Sequence, residues 1–419
     1  MLASTPCSTA ARARSSAAAA TAVAAPQARL LSRLATAKTS EAVTQTPSDA
    51  PKNAKAVKSA DMEDFTWLKA QTPVKVFSGA QYVENYLGPP LAKAGFTNVQ
   101  FVEPRLDKYT ASLAQDTPIV CLFVNDECTE PIVAKLAKGG VKLIAMRCAG
   151  YDRVDLAACE KYGIKVARVP TYSPTSVAEH ALALLFALNR RINIAYTRVM
   201  AGNYSLGPLV GMELRGKNVA VIGTGAIGTE AIRLFKGIGM NVMAYDVAKN
   251  PAVEALGVPY MSIEDMLPIA DVVSLHVPLL PSTYHIMNKP RFAMMKKGAL
   301  LLNVSRGGLV DSDEMMHALE AAQLGGVGLD VWENEADMFF TDWTDMDLET
   351  RMKAWDRKFY ALTSFPQVIV TPHSAFLTHE ALANIASTTV ENMEAFLLNK
   401  PLKNEIKAKP RTSPIKPST

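Results

Sequence analysis

The sequence predicts an α/β protein with two parallel-sheet domains, a cleft between them, and one domain that is discontinuous in the chain. Three observations lead there. Short β-branched, apolar runs alternate with helical stretches in both halves, the pattern of a parallel sheet covered on both faces. A glycine-spaced turn at Gly223, Gly225 and Gly228 joins one such run to a helix. Polar residues gather at or just after the ends of the runs, where ligands bind in sheets of this kind.

Residues 1–40 contain no acid and carry Arg12, Arg14, Arg29, Arg33 and Lys38 among alanines, serines and threonines. No apolar core of a secretory signal is present. This composition predicts an organelle transit peptide, chloroplast favoured and mitochondrion the alternative, with a polar linker running to residue 60. Val74–Phe77, Asn98–Val102, Ile119–Phe123 and Lys142–Met146 read as strands of a smaller substrate domain, residues 72–170. A long apolar helix, Ser176 to Met200, leads into the second domain, residues 171–371.

In that domain the runs Asn218–Ile222, Asn241–Tyr245, Asp271–His276, Ala299–Asn303, Gly326–Asp330 and Val368–Val370 read as buried strands. Helical stretches lie between several of them, such as Asp311 to Ala322. A last amphipathic helix, His379 to Leu398, returns to the first domain, so the substrate domain resumes over residues 372–402 ahead of a basic tail, 403–419. No repeat of solenoid period is present.

Charge and cysteine usage exclude several classes. The net charge is +4, but residues 1–60 carry +6 and the tail +4, which leaves about −6 on the folded part. A nucleic-acid surface is not indicated. The longest apolar run of the entry helix, Ala181–Leu188, is too short to span a membrane. Cys121, Cys128, Cys148 and Cys159 have no CxxC spacing and read as reduced thiols. No His/Cys set completes a metal site, so no metal is expected.

The glycine turn carries the first chemistry. Strand Asn218–Ile222 runs into Gly223-Thr224-Gly225-Ala226-Ile227-Gly228, and a helical pattern follows. Gly223 permits the turn, Gly225 lets the backbone approach a pyrophosphate, and Gly228 allows close helix–strand packing. Exposed N–H groups at the helix start then hold phosphates. The next strand ends in Asp246, placed to accept hydrogen bonds from a ribose and to repel a 2′-phosphate. The expected cofactor is NAD rather than NADP.

Three polar residues follow. Arg306 offers a planar fork that matches a carboxylate, with strand capping or pairing to Asp311 as the competing account. His373, after Thr371-Pro372, can give and take a proton near neutral pH. Glu335 would orient His373 and favour its charged form, with Glu333 as the next candidate. Hydride transfer between nicotinamide and a 2-keto acid needs these parts. His180, His276, His285, His317 and His379 read as mainly structural.

From about Val74 to about Leu402 the chain resembles the D-isomer-specific 2-hydroxyacid dehydrogenases, and within them the D-lactate dehydrogenases. The resemblance implies two Rossmann-like domains. It makes Arg306 the substrate-binding arginine, His373 the catalytic histidine and Glu335 its partner. It places Ala149-Gly150 in the loop whose amides grip the substrate carboxylate, and Tyr172 on the pocket wall. His276, Val277, Pro278 and Asn303 fall beside the cofactor, and Asp330 where the family carries an acid near the nicotinamide amide. Ser374-Ala375-Phe376 resembles the lactate branch, with Phe376 closing the pocket over a small methyl. The insertion from Ala336 to Phe365 resembles the fermentative enzymes. Trp332 and Arg153 depart from a usual tyrosine and asparagine. A homodimer or homotetramer acting on pyruvate and D-lactate is what the resemblance implies. Hydroxypyruvate or glyoxylate reduction, phosphoglycerate oxidation, or a non-catalytic NAD-sensing role are the alternatives.

Overall fold

The computed structural model describes residues 59–353 and 355–408. The expected leader, apart from its last two residues, lies outside them, as does the tail from residue 409.

The chain opens on helix α1 (Ser59–Gln71). Strands β1 (Val74–Val76), β2 (Val99–Phe101), β3 (Ile119–Leu122), β4 (Leu143–Met146) and β5 (Lys165–Ala167) follow with helices between most of them. Helices α2 (Pro174–Asn189) and α3 (Ile192–Met200) lead to β6 (Asn218–Ile222), α4 (Ala226–Gly237), β7 (Asn241–Tyr245), β8 (Val272–Leu275) and β9 (Ala299–Asn303). Then come α5 (Ser312–Glu320), β10 (Leu324–Leu329), β11 (Val368–Val370), α6 (His379–Leu397) and β12 (Glu405–Ile406).

The strands form two six-stranded sheets, ordered β12-β5-β4-β3-β1-β2 and β11-β10-β9-β8-β6-β7. All pairs are parallel except β12 on β5. The predicted α/β architecture with a discontinuous first domain is what the chain adopts. Each sheet starts in its middle: β2 joins one side of β1 and β3 the other, and β7 and β8 flank β6 in the same way. Each therefore has a switch point where neighbouring strands lead away in opposite directions, the place where such sheets bind ligands.

Strand alternation sorts the core. Val219 and Val221 of β6 pack in one cluster, and Ala220 and Ile222 in another on the opposite face. In the first sheet Val120 and Leu122 lie in one cluster, while Ile119 and Cys121 share the other with Ala386, Val390 and Met393 of α6. The returning helix thus completes the first domain's core, as its apolar spacing predicts. The two crossings between domains lie side by side. Ser173 caps α2 and Thr378 caps α6 through side-chain oxygens. The Ser176 and Thr378 hydroxyls meet at 2.8 Å.

Three details differ from the sequence reading. Helix α1 begins at Ser59, inside the expected linker, and Lys69 ties it to Glu394 of α6 and to the Ala94 carbonyl. The long entry helix is broken at Arg191, which adopts φ +53°. The buried Asn189 side chain exchanges two hydrogen bonds with the Met212 backbone at 2.8 and 3.0 Å, fixing the helix end there. Residues 405–406 of the basic tail form an edge strand on β5.

Candidate active site

A cavity of about 510 Å³ opens between the two sheets. Phe123 and Val124, after β3, and Ile227 and His276, beside the other switch point, all line it. Arg306 and His373 line it too.

The glycine turn has the geometry its spacing predicts. Gly223 adopts φ +105°, and a Cβ there would lie 2.6 Å from the His276–Val277 peptide. A Cβ on Gly228 would lie 1.9 Å from the Gly223 carbonyl oxygen. At Gly225 nothing stands within 4 Å, so the backbone is open to a ligand. No side chain caps the α4 start at Gly225, which leaves the first-turn N–H groups available, Ala226 and Ile227 included.

Asp246, at the end of β7, accepts from the Thr224 amide at 2.7 Å and from its hydroxyl at 3.1 Å. The carboxylate therefore sits against the fingerprint loop. His276 bonds Ser274 through Nε2 at 2.8 Å, and its buried Nδ1 has no partner. Burial pushes its titration down to about 4, so the ring is neutral at neutral pH. An open phosphate cradle, an acid held against its loop and a buried ring nitrogen left unpaired beside it fit a dinucleotide.

Arg306 follows β9. Asn303, fully buried, shapes this loop by donating to the Arg306 carbonyl at 2.8 Å and accepting from the Ser305 amide at 3.1 Å. Ser305 Oγ donates to the Val277 carbonyl at 2.7 Å, which ties the loop to the Val277-Pro278 segment. The guanidinium donates from Nε to Asp152 at 3.0 Å and from Nη1 to the Ser305 carbonyl at 2.7 Å. Asp152, not Asp311, is its ion-pair partner. Nη2 stands so close to Gly150 that a Cβ there would lie 2.1 Å away. The Arg168 side chain holds the Ala149 carbonyl at 2.8 Å. The Ala149 and Gly150 amides have no partner among the described residues. A cation and two free N–H donors thus converge on one corner of the cavity, an arrangement that receives a carboxylate.

His373 and Glu335 meet across 38 residues of sequence, Nδ1 to Oε1, at 2.7 Å. The other Glu335 oxygen accepts from the Trp332 amide at 2.9 Å, so the carboxylate is held at both ends. His373 Nε2 has no partner among the described residues. Its backbone sits at φ +53°. Asp330 enforces this turn. Fully buried, it accepts from the Ser374 and Ala375 amides at 2.9 Å each and from the Thr371 hydroxyl at 2.5 Å. His180 braces the same group, 3.4 Å from Asp330 and 2.9 Å from Thr371. Burial pushes the Asp330 carboxyl up, but His180, Thr371 and the Ala375 amide outweigh it and hold it below its ordinary range. Asp330 lines the cavity, yet its oxygens are engaged by the loop that carries His373.

Phe376 and Tyr172 close one wall, 6.2 Å apart between ring centroids. Burial pushes the Tyr172 phenol up to about 12, so it stays a neutral donor. Trp332 donates its indole N–H to Asp356 at 2.8 Å, anchoring the inserted segment. The sequence reading brought together Arg306, Glu335, His373, Ala149, Gly150, Tyr172 and Phe376. It missed Asp152, although that residue stands inside the Tyr-Asp-Arg-Val-Asp segment it singled out. It also passed over Arg168, and it read His180 as structural without naming Asp330 and Thr371 as what it braces.

A family model for the NAD-binding domain of the D-isomer-specific 2-hydroxyacid dehydrogenases matches residues 182–375. The D-lactate dehydrogenase of Escherichia coli is 41% identical over 331 residues, covering 79% of this chain and 98% of that protein. This chain belongs to the D-isomer-specific 2-hydroxyacid dehydrogenase family. It is an NAD-dependent oxidoreductase. A solved structure described as the pyruvate reductase of Chlamydomonas reinhardtii is similar at TM-score 0.76 and 56% identity, over 80% of this chain and 99% of that one. The D-lactate dehydrogenase of Aquifex aeolicus, solved with NAD and lactic acid, is similar at TM-score 0.70 and 31% identity, over 80% of this chain and all of that one. No helix among the described residues is long and apolar enough to cross a membrane.

Proposed function

We propose that this dehydrogenase reduces pyruvate to D-lactate with NADH, reversibly. The observation that carries the reading is the convergence of Arg306, the free Ala149 and Gly150 amides, and the His373–Glu335 pair in one cavity. Phe376 walls that cavity on the apolar side.

The Gly223–Gly228 turn would hold the pyrophosphate, Asp246 the adenosine ribose, and His276, Pro278 and Asp330 the wall toward the nicotinamide, with buried Val277 and Asn303 shaping the segments behind it. Bound there, the reduced nicotinamide supplies a hydride. Arg306 and the two amides bind the substrate carboxylate and orient the keto group. Reduction leaves an alkoxide that needs a proton at that moment, and His373 Nε2 delivers it. Glu335 holds Nδ1, fixes the ring and stabilises imidazolium before the transfer. In the oxidative direction the neutral imidazole takes the proton back.

Support for pyruvate comes from the Phe376 wall and from the likeness to the Chlamydomonas pyruvate reductase and the E. coli D-lactate dehydrogenase. The arginine- and serine-rich leader supports import into a chloroplast, and family membership supports a homodimer or homotetramer. The test is NADH oxidation by the purified protein with pyruvate, glyoxylate, hydroxypyruvate and phosphohydroxypyruvate, with the product's chirality determined. Pyruvate should give the highest kcat/KM and D-lactate the only isomer. A preference for hydroxypyruvate or phosphohydroxypyruvate would move the enzyme to another branch.

A further inference from the structure

Two consecutive peptides carry the amides at the polar corner of the cavity, and they are anchored by different means. The Cys148 carbonyl accepts from the Val169 amide at 3.1 Å. The next carbonyl, that of Ala149, accepts from Arg168 Nη1 at 2.8 Å. A trans peptide is planar, so its C=O and the N–H that follows point to opposite sides. Holding the Cys148 carbonyl therefore turns the Ala149 N–H the other way, and holding the Ala149 carbonyl does the same for the Gly150 N–H. The first anchor is backbone, independent of which side chain stands at Val169. The second is a single side chain. Gly150 needs that hold. Arg306 Nη2 lies where a Cβ would stand, so the position takes glycine, and glycine leaves the backbone loosely restricted.

Arg168 is itself placed by several partners. It follows β5, and its guanidinium lies over the Tyr151 ring at 5.1 Å from the centroid. Its amide donates to the Asn404 carbonyl at 3.1 Å, and its carbonyl accepts from Asn392 Nδ2 at 2.9 Å. Asn392, buried on α6, in turn accepts from Asn404 Nδ2 at 3.0 Å. These partners stand in the returning C-terminal segment, which also pairs β12 with β5. The hold on the Gly150 peptide thus runs back to the strand that edges the first sheet.

We infer that Arg168 is a positioning residue for substrate binding, aiming the Gly150 amide at the substrate carboxylate by holding the Ala149 carbonyl. This rests on the reading that the cavity takes a 2-keto acid whose carboxylate lies against Arg306 and these amides. Arg168 also lines the cavity, so the competing account is a second cation that meets the carboxylate directly. Its Nη1 is committed to the Ala149 carbonyl and its face to Tyr151, which favours action through the peptide. A hydrogen bond to a charged group is worth about tenfold or more in binding. The contact exists before and during hydride transfer, so its loss shows in KM rather than in kcat.

The experiment compares wild type with Arg168→Met, which keeps an apolar stem on Tyr151 and loses the donor, and Arg168→Lys, which keeps a charge and a donor. Readouts are pyruvate KM and kcat, the Ki of oxamate as an unreactive carboxylate probe, NADH affinity by fluorescence quenching, and Tm. A crystal structure of the Arg168→Met enzyme with NADH and oxamate reports the peptide itself. In Arg168→Met, pyruvate KM and oxamate Ki should rise together by about tenfold or more, with kcat within about threefold and NADH affinity unchanged. The Ala149–Gly150 peptide should be turned away from the oxamate carboxylate. Arg168→Lys should recover most of both constants. A folded Arg168→Met enzyme whose KM and Ki stay within about twofold of wild type overturns the inference. So does weakened oxamate binding with the peptide unmoved, which would make Arg168 a direct ligand of the carboxylate. A wild-type protein that reduces no 2-keto acid overturns the underlying reading instead, and this inference with it.

Discussion

Two histidine–glutamate pairs stand within a short stretch of this fold, built from acids two residues apart. His373 meets Glu335 at 2.7 Å and His285 meets Glu333 at 2.8 Å. As isolated hydrogen bonds they are nearly the same. Their surroundings are not. His285 stands among acids and away from the residues lining the cavity: its second nitrogen lies 3.6 Å from Asp311, and its ring stacks on Tyr284 at 3.9 Å. Glu333 is shared with the Ser312 hydroxyl at 2.8 Å. His373 spends one nitrogen on its acid and presents the other to the cavity that holds Arg306. A His–Glu bond by itself braces a loop. It becomes a proton relay when one nitrogen is left free and faces the reacting group.

The largest expected effect separates the pairs outright. His373→Gln should cost about 10²–10⁴ in kcat for pyruvate reduction while leaving NADH binding intact. His285→Gln should leave kcat within about twofold, since nothing it touches reaches the substrate. Steady-state kinetics on both variants checks this, and equal losses would erase the distinction.

Arg306→Lys comes next. It keeps the charge and loses the fork, so pyruvate kcat/KM should fall by on the order of a few kcal/mol in transition-state binding. NADH titration should be unchanged. Near-normal pyruvate kinetics would leave Arg306 as the partner of Asp152 alone.

Much of this was legible in the sequence because it is local. The Gly223–Gly228 turn and the buried strands each carry their signal within a few residues. The Arg306, Glu335 and His373 motifs were legible through family resemblance, each within its own segment. What escaped depends on distant partners. β5 and β12 are three and two residues long, too short for any period, and exist because they pair with each other and with β4. Helix α1 has no apolar face of its own and is positioned by Lys69 on Glu394, 325 residues away. The family resemblance sets Asp330 near the nicotinamide amide. Its hydrogen bonds give it a further task, clamping the turn of His373, that the sequence did not display. Asp152 pairs with Arg306 from a segment 154 residues away, which no single stretch of sequence displays.

A third effect concerns stability and is smaller. Burial lowers His276 from its ordinary range to about 4, so the unfolded chain binds a proton that the folded one refuses between these values. This contribution disfavours the folded state as pH falls through about 6.5 toward 4. His276 should account for about 2 kcal/mol of the stability lost between pH 7 and 4.5. Urea midpoints of His276→Asn against wild type at the two pH values check it. An identical pH dependence would mean that the ring takes up a proton without unfolding. The smallest effect expected is on cofactor choice: Asp246→Ala should narrow the NADH-over-NADPH preference in kcat/KM, and an unchanged ratio would remove Asp246 from the ribose site.

The proposal that Glu335, and not Glu333, supports His373 in proton transfer is tested most directly by kcat for pyruvate reduction in wild type, Glu335→Gln and Glu333→Gln. Each substitution keeps the shape of the side chain and removes its charge. Glu335→Gln should lower kcat by about tenfold or more with NADH affinity unchanged, and Glu333→Gln should leave kcat within about twofold of wild type. A Glu335→Gln enzyme with wild-type kcat, or an equal loss in Glu333→Gln, would contradict the assignment.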